Sequence, residues 1–139
     1  MNSCSITSVA TATERLRRYL DDELGECRPE DVDRRLEDLG ALAGALSEER
    51  VATDVAVLSA LSSETRYAAV RVLVAAGEEL CVCELNAVVD ASESAVSHAL
   101  SELDDAGLVE GRTDGRWRKY RATDRAVALV TVLDGAIDE

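Results

Sequence analysis

The stretch Ser92-Glu-Ser-Ala-Val-Ser-His-Ala-Leu100 decides how the chain is read. Ser92 is of the residue type that caps a helix by accepting a hydrogen bond from a free N–H at its start. From Glu93 to Ala106 the apolar residues Ala95, Val96, Ala99, Leu100 and Leu103 recur at helical spacing and form an inward face. Ser94, Ser97, His98 and Ser101 fall outside that face, and such short polar side chains let a helix approach the floor of a DNA major groove. Upstream, Leu80 to Val89 predicts a shorter helix, joined to this one by a tight turn at Asp90-Ala91. Downstream, Gly107 stops the helix. Leu108 to Arg112 predicts a strand, Thr113-Asp114-Gly115 a hairpin turn, and Arg116 to Arg121 the return strand.

Two short helices followed by a basic hairpin predict a mainly α fold with a small β-hairpin, a winged helix-turn-helix. The competing reading is a helical hairpin buried in an ordinary core. In the winged reading the candidate DNA contacts are Ser92, Glu93, Ser94, Ser97, His98 and Ser101 on the second helix, with Arg112, Arg116, Arg118 and Lys119 on the wing. Trp117 and Tyr120 are expected to pack in the core and at the base of the wing. His98 has the chemistry of a metal ligand or a general base, but its place on the exposed side of the reading helix favours a DNA contact.

The helices outside this centre are predicted in the same way. Ser62 or Ser63 caps a helix from Glu64 to Ala76, closed by Gly77, and a further apolar helix precedes it from Asp54 to Leu61. Thr123 and Asp124 open a last helix whose Ala126, Val127, Leu129, Val130, Val132 and Leu133 are apolar on more than one face. One small domain cannot bury all of it, and a second copy of the chain would. Residues 1–50 form an extension outside residues 51–139. Met1 to Thr13, rich in Ser, Thr and Ala, is expected as a mobile arm. A short amphipathic helix from Glu14 to Leu24 follows, then a helix opened by Pro29 with the stripe Val32, Leu36, Leu39, Leu42, Ala43 and Leu46.

Composition limits the function classes. The chain has 139 residues, 47% of them apolar, so it holds a real core and is not a disordered polymer. It has no run of 18 apolar residues and no secretory leader pattern at Met1 to Ala10, which predicts a cytoplasmic protein with no membrane partner. The net charge is −13, and Lys119 is the only Lys among 15 basic residues. Such a surface resembles that of proteins adapted to molar intracellular salt, which points to a halophilic source. The total charge alone favours an acidic protein with no nucleic-acid partner. Its distribution argues otherwise, since Glu110 to Arg121 carries five basic residues against two acidic ones. No Ser-His-Asp pattern, glycine-rich phosphate loop or paired-carboxylate pocket is present, so catalysis is not expected.

The four cysteines, Cys4, Cys27, Cys81 and Cys83, argue against a disulfide framework in a chain without an export signal. They leave a metal or redox role, or plain burial. In a regular helix Cys81 and Cys83 would point roughly 200° apart, so both thiolates reach one ion only if the helix end frays or bends there. Soft thiolates select As(III) or Sb(III) with three sulfurs, or Cd(II), Pb(II) or Zn(II) with three or four. Cys4 and Cys27 are the candidates for the remaining sulfurs.

Three segments, Leu58-Ser-Ala-Leu-Ser-Ser-Glu-Thr-Arg66, Glu79-Leu-Cys-Val-Cys-Glu-Leu85, and Ser92-Glu-Ser-Ala-Val-Ser-His98 with Gly115-Arg-Trp-Arg-Lys-Tyr120, resemble the ArsR-type family of metal- and metalloid-responsive winged-helix repressors. The resemblance runs from Leu58 to about Leu133. It implies a homodimer that binds an imperfect palindromic operator in double-stranded DNA and releases it when an ion binds. Cys81 and Cys83 match the family's metal box. Arsenic sensors nearest to that box carry a third cysteine three residues on, where this chain has Asn86. In cadmium and lead sensors the extra thiolates come from the N-terminal region, the place of Cys4 and Cys27. The last helix lacks the His and carboxylate set of the zinc-sensing branch. Two other readings stay open: a redox-responsive winged-helix regulator using the same cysteines, and an acidic protein-interaction module that binds no DNA.

Overall fold

The computed structural model describes residues 2–26 and 28–135, with side chains from residue 12 onward. The chain divides into two compact units, Met1–Arg50 and Val51–Glu139. In the first, α1 (Asn2–Leu24) and α2 (Pro29–Gly40) pack together, and a 3₁₀ segment continues over Ala41–Leu46. The stretch expected as a mobile arm is therefore the first half of α1. No Gly or Pro interrupts residues 2–24, so nothing breaks the helix before Gly25. Pro29 stands in the first turn of α2, where the missing N–H costs nothing. Among the described residues of this unit Leu20 and Val32 are the buried apolar ones, while Leu36, Leu42 and Leu46 of the predicted stripe stay exposed.

The second unit runs in the order α3 (Glu48–Ala60), α4 (Glu64–Ala76), β1 (Leu80–Cys81), α5 (Val82–Val88), α6 (Glu93–Asp105), β2 (Val109–Asp114), β3 (Trp117–Ala122) and α7 (Asp124–Leu133). It is a winged helix-turn-helix, with α5 and α6 as the paired helices and β2–β3 as the wing. Three predicted caps close as hydrogen bonds: Ser63 Oγ accepts from Arg66 N, Ser92 Oγ from Ala95 N, and Thr123 Oγ1 from Ala126 N. The core joins Val70 and Leu73 of α4, Leu85 of α5, Val96, Leu100 and Leu103 of α6, Leu108 and Val109 leading into the wing, and Ala126 and Val130 of α7. Ala95, placed inward by periodicity, is exposed.

A third strand joins the hairpin that the sequence predicts. The predicted helix from Leu80 begins only at Val82, because Leu80 and Cys81 pair antiparallel with Tyr120 and Lys119 of β3. The sheet order is β1-β3-β2. In the wing, Asp114 pairs with Trp117, which leaves Gly115 and Arg116 as a two-residue turn. Gly115 has φ 64°, the left-handed conformation that such turns require at their first central position. Among the described residues no helix is long and apolar enough to cross a membrane.

Gly111 is the tightest point of the wing. It faces Tyr120 across the ladder, and a Cβ placed there would lie 2.5 Å from Tyr120 Cε1 and 2.7 Å from Arg118 Nη2. Tyr120 is buried and cannot swing away freely. The variant Gly111→Ala is expected to lose about 1–3 kcal/mol through overpacking, seen as a lowered thermal midpoint by circular dichroism. An unchanged midpoint would mean that the wing relaxes at no cost.

Candidate functional site

Cys81 is the N-cap of α5, with extended backbone at φ −70° and ψ 150°, and Cys83 lies in the first turn. The boundary between strand and helix thus falls between the two cysteines, so the divergence expected of two residues in one regular helix does not arise. The structure joins their sulfurs as a disulfide, with Cα atoms 5.2 Å apart. The bridge is local and ties no distant segments together. Cys81 Sγ also accepts a hydrogen bond from Cys83 N at 3.2 Å, and Glu84 Oε1 accepts one from Cys81 N at 2.8 Å. Cys81-x-x-Glu84 is a capping box with cysteine in place of Ser or Thr, a spacing visible in the sequence. Cys81 is buried and Cys83 exposed.

The pair lies in a cleft of about 300 Å³ lined also by Glu93 and Ser97 of α6 and by Arg116, Trp117, Arg118 and Tyr120 of the wing. The cysteine pair is therefore flanked by both elements expected to read DNA. Among the described residues no group of three or more His, Cys, Asp or Glu side chains is arranged to hold a metal. Cys4 lies on α1 with its side chain outside the described residues, and Cys27 is outside them altogether.

On α6 the candidates Ser92, Glu93, Ser94, Ser97, His98 and Ser101 are all exposed. His98 Nε2 lies 3.3 Å from Glu102 Oε1, one turn further along. Glu102 in turn holds Arg66, a residue to which periodicity assigns no role. Arg66 Nη1 donates to Glu102 Oε2 at 2.6 Å, and its Nε donates to Ala60 O at 2.6 Å. One guanidinium thereby fastens α6 to α4 and to the end of α3, beside the exposed face of α6.

The wing is less basic than its sequence suggests. Arg112 makes paired hydrogen bonds to Glu79, and Lys119 Nζ lies 3.1 Å from Asp114 Oδ2. Arg121 Nη2 lies 2.6 Å from Glu110 Oε2, and Arg118 Nη2 lies 3.9 Å from Asp104 Oδ2. The hydrogen bond from Arg112 holds the Glu79 carboxyl below its usual range, and that from Lys119 does the same for Asp114. Both therefore remain charged partners at neutral pH. Arg116 has no carboxylate partner among the described residues, and its guanidinium lies 5.3 Å from the Trp117 ring centroid. Trp117, expected to pack inward, is 49% exposed, because register places it beside the turn on the outer side of the hairpin. Tyr120 is buried as expected.

Comparison with known proteins agrees with this geometry. Residues 63–111 match the model of the bacterial regulatory protein, arsR family. A protein of Halobacterium salinarum named as an arsenical resistance operon repressor, ArsR, is 52% identical over 91% of this chain and 98% of its own length. A second one from that organism, named ArsR2, is 45% identical over 66% of this chain and 76% of its own. Among solved structures, reduced HlyU from Vibrio cholerae superposes with a TM-score of 0.57 at 28% identity, covering 66% of this chain and 96% of the other. Identity of this order, sustained across almost the whole of both chains, means that the protein belongs to the arsR family of bacterial regulatory proteins.

Proposed function

We propose that the protein is a transcriptional repressor that binds double-stranded operator DNA as a homodimer and releases it when a thiophilic ion binds Cys81 and Cys83. The observation that carries this reading is the position of the cysteine pair, in a cleft walled by α6 on one side and the wing on the other. As thiolates, the two sulfurs converge on one ion without any unwinding of α5, because Cys81 already precedes the helix. An ion held there sets the spacing between the recognition helix and the wing. A coupling of about 1–3 kcal/mol between the two sites would weaken DNA binding by roughly 5–150-fold. As(III) and Sb(III) are the favoured inducers, with Cd(II), Pb(II) and Zn(II) as further thiophilic candidates. The names of the two Halobacterium relatives support an arsenical response.

DNA contact is assigned to the exposed side chains of α6, Ser92, Glu93, Ser94, Ser97, His98 and Ser101, together with the wing. The dimer is assigned to the apolar surface left uncovered in the second unit. Val51, Val55 and Leu58 of α3, with Val127, Val132 and Leu133 of α7, are all at least 40% exposed. Apolar side chains of this size gain most by burial against a self-complementary copy. The variants Leu58→Glu and Val132→Glu are expected to sediment as monomers and to bind a two-half-site operator at least tenfold more weakly, since two linked heads bind far more tightly than one. Dimers of undiminished operator affinity in both variants would place the interface elsewhere.

A second reading has its own observation in the Cys81–Cys83 disulfide. In a redox regulator two thiols and one hydrogen peroxide give the disulfide and two waters, and two equivalents of a thiol reductant return the two thiols while becoming a disulfide themselves. The two readings separate in one experiment, operator binding by fluorescence anisotropy in molar KCl with reduced protein. Arsenite, antimonite or cadmium should release the wild type, and Cys81→Ser and Cys83→Ser should bind DNA unchanged but no longer respond. Cys4→Ser and Cys27→Ser, run in parallel, show whether either cysteine supplies a further sulfur. Release by peroxide with indifference to every ion would replace the ion-sensing reading by the redox one. Failure to bind any DNA from its own promoter region would remove both.

A further inference from the structure

The wing has the composition of a phosphate-binding hairpin and the ion pairing of a neutral one. Five cations, Arg112, Arg116, Arg118, Lys119 and Arg121, project from β2, β3 and the turn between them. Four carboxylates, Glu79, Asp104, Glu110 and Asp114, stand within 4 Å of four of those cations. Two of them come from outside the hairpin, Glu79 from the segment before β1 and Asp104 from α6. Charge counting along the hairpin alone misses these two. Among the described residues the unmatched cation is Arg116, which occupies the two-residue turn and therefore the extreme tip.

Exposed ion pairs are weak, and any of these cations can turn from its carboxylate to a phosphate. Each such exchange leaves a carboxylate behind within a few ångströms of the DNA backbone, where it repels the same phosphate. The net gain from Arg112, Arg118, Lys119 or Arg121 is therefore small. Arg116 leaves no carboxylate behind. Its guanidinium over the Trp117 ring also enters the contact partly ordered.

We propose that Arg116 is the wing's one productive phosphate contact on double-stranded DNA, and that the remaining wing cations are neutralised within the protein. This rests on the DNA-binding reading above and sharpens it. Such an operator complex releases few counterions, so its affinity declines slowly as salt rises. Specificity then resides in the uncharged and acidic side chains of α6, which contribute nothing to the salt dependence.

The test is the slope of log operator affinity against log KCl for the full-length protein. In a dimer, two wing tips contribute about −2 to that slope, whereas all ten wing cations would contribute about −9. Arg116→Ala should flatten the slope by about 2 and weaken operator and unrelated DNA alike, whereas Arg116→Lys should restore the slope. Arg121→Ala should leave the slope within error of the wild type. Glu110→Gln, which frees Arg121, should steepen it and tighten binding to DNA of any sequence. Equal flattening by Arg116→Ala and Arg121→Ala, or no effect of Glu110→Gln, overturns the proposal while leaving the repressor intact. A wild type that binds no DNA at any salt concentration overturns the repressor and this proposal together.

Discussion

Two residues of backbone pairing govern the geometry of this domain. Leu80 and Cys81 lie extended against Tyr120 and Lys119, so the chain cannot become helical before Val82. Helical backbone at Cys81 would turn its side chain away from that of Cys83 and remove the shared sulfur position. The same pairing holds β3 in place from one side while β2 holds it from the other, and β3 carries the returning half of the wing. Tyr120 lies buried at this junction, over the one position in β2 that has no side chain, Gly111. The cysteine pair, the wing and the start of α5 are in this sense one mechanical part. A change in how Cys81 is held has a short path to the wing through its register partner Lys119 and the neighbouring Tyr120.

The recognition helix is fixed by a different device. Its inner face is held by Val96, Leu100 and Leu103 in the core, which sets its depth. Its rotation and tilt are constrained by Glu102, gripped by Arg66 from α4. Because Arg66 also donates to the carbonyl of Ala60, the end of α3 is tied to the same point. If α3 carries part of the dimer contact, the subunit interface and the DNA-reading helix share a single guanidinium. Such an arrangement would transmit a change in subunit geometry to α6 without passing through the hydrophobic core.

Most of this architecture was legible in residue order because each helix start is marked by a side chain that can serve it. Ser63, Ser92 and Thr123 each accept from an N–H three residues on. The wing was legible because alternation and a glycine turn carry a period of two. The misses have equally local causes. A two-residue strand is too short to show any period, and Leu80-Cys-Val-Cys-Glu-Leu85 is apolar enough to pass for the beginning of a helix. Ser and Thr from residue 3 to residue 13 suggested a loose arm, yet with no breaker before Gly25 the helix extends through them. Trp117, expected in the core or at the base of the wing, is set beside the tip by the register of the hairpin. Pairing partners such as Glu79 with Arg112 lie 33 residues apart and leave no trace in composition.

The charge of the protein illustrates why distribution in space outweighs distribution in sequence. A net charge of −13 opposes approach to a polyanion, and a hairpin of five cations promises to offset it locally. The fold withdraws most of that promise by bringing Glu79 and Asp104 against the hairpin from either side. At low salt this would be a poor design, because long-range attraction does much of the work of bringing protein to DNA. At molar salt the Debye length shrinks to about 3 Å and that attraction is lost to every protein alike. Contacts then count only at touching distance, and a cation whose charge is already paired loses little that it could have used. The near absence of Lys, the acidic surface and the self-paired wing are consistent with one such environment. In that environment the proposed operator complex would depend on shape fit and the uncharged side chains of α6, and the position of the wing relative to α6 is the variable that an ion at Cys81 and Cys83, as proposed, would control.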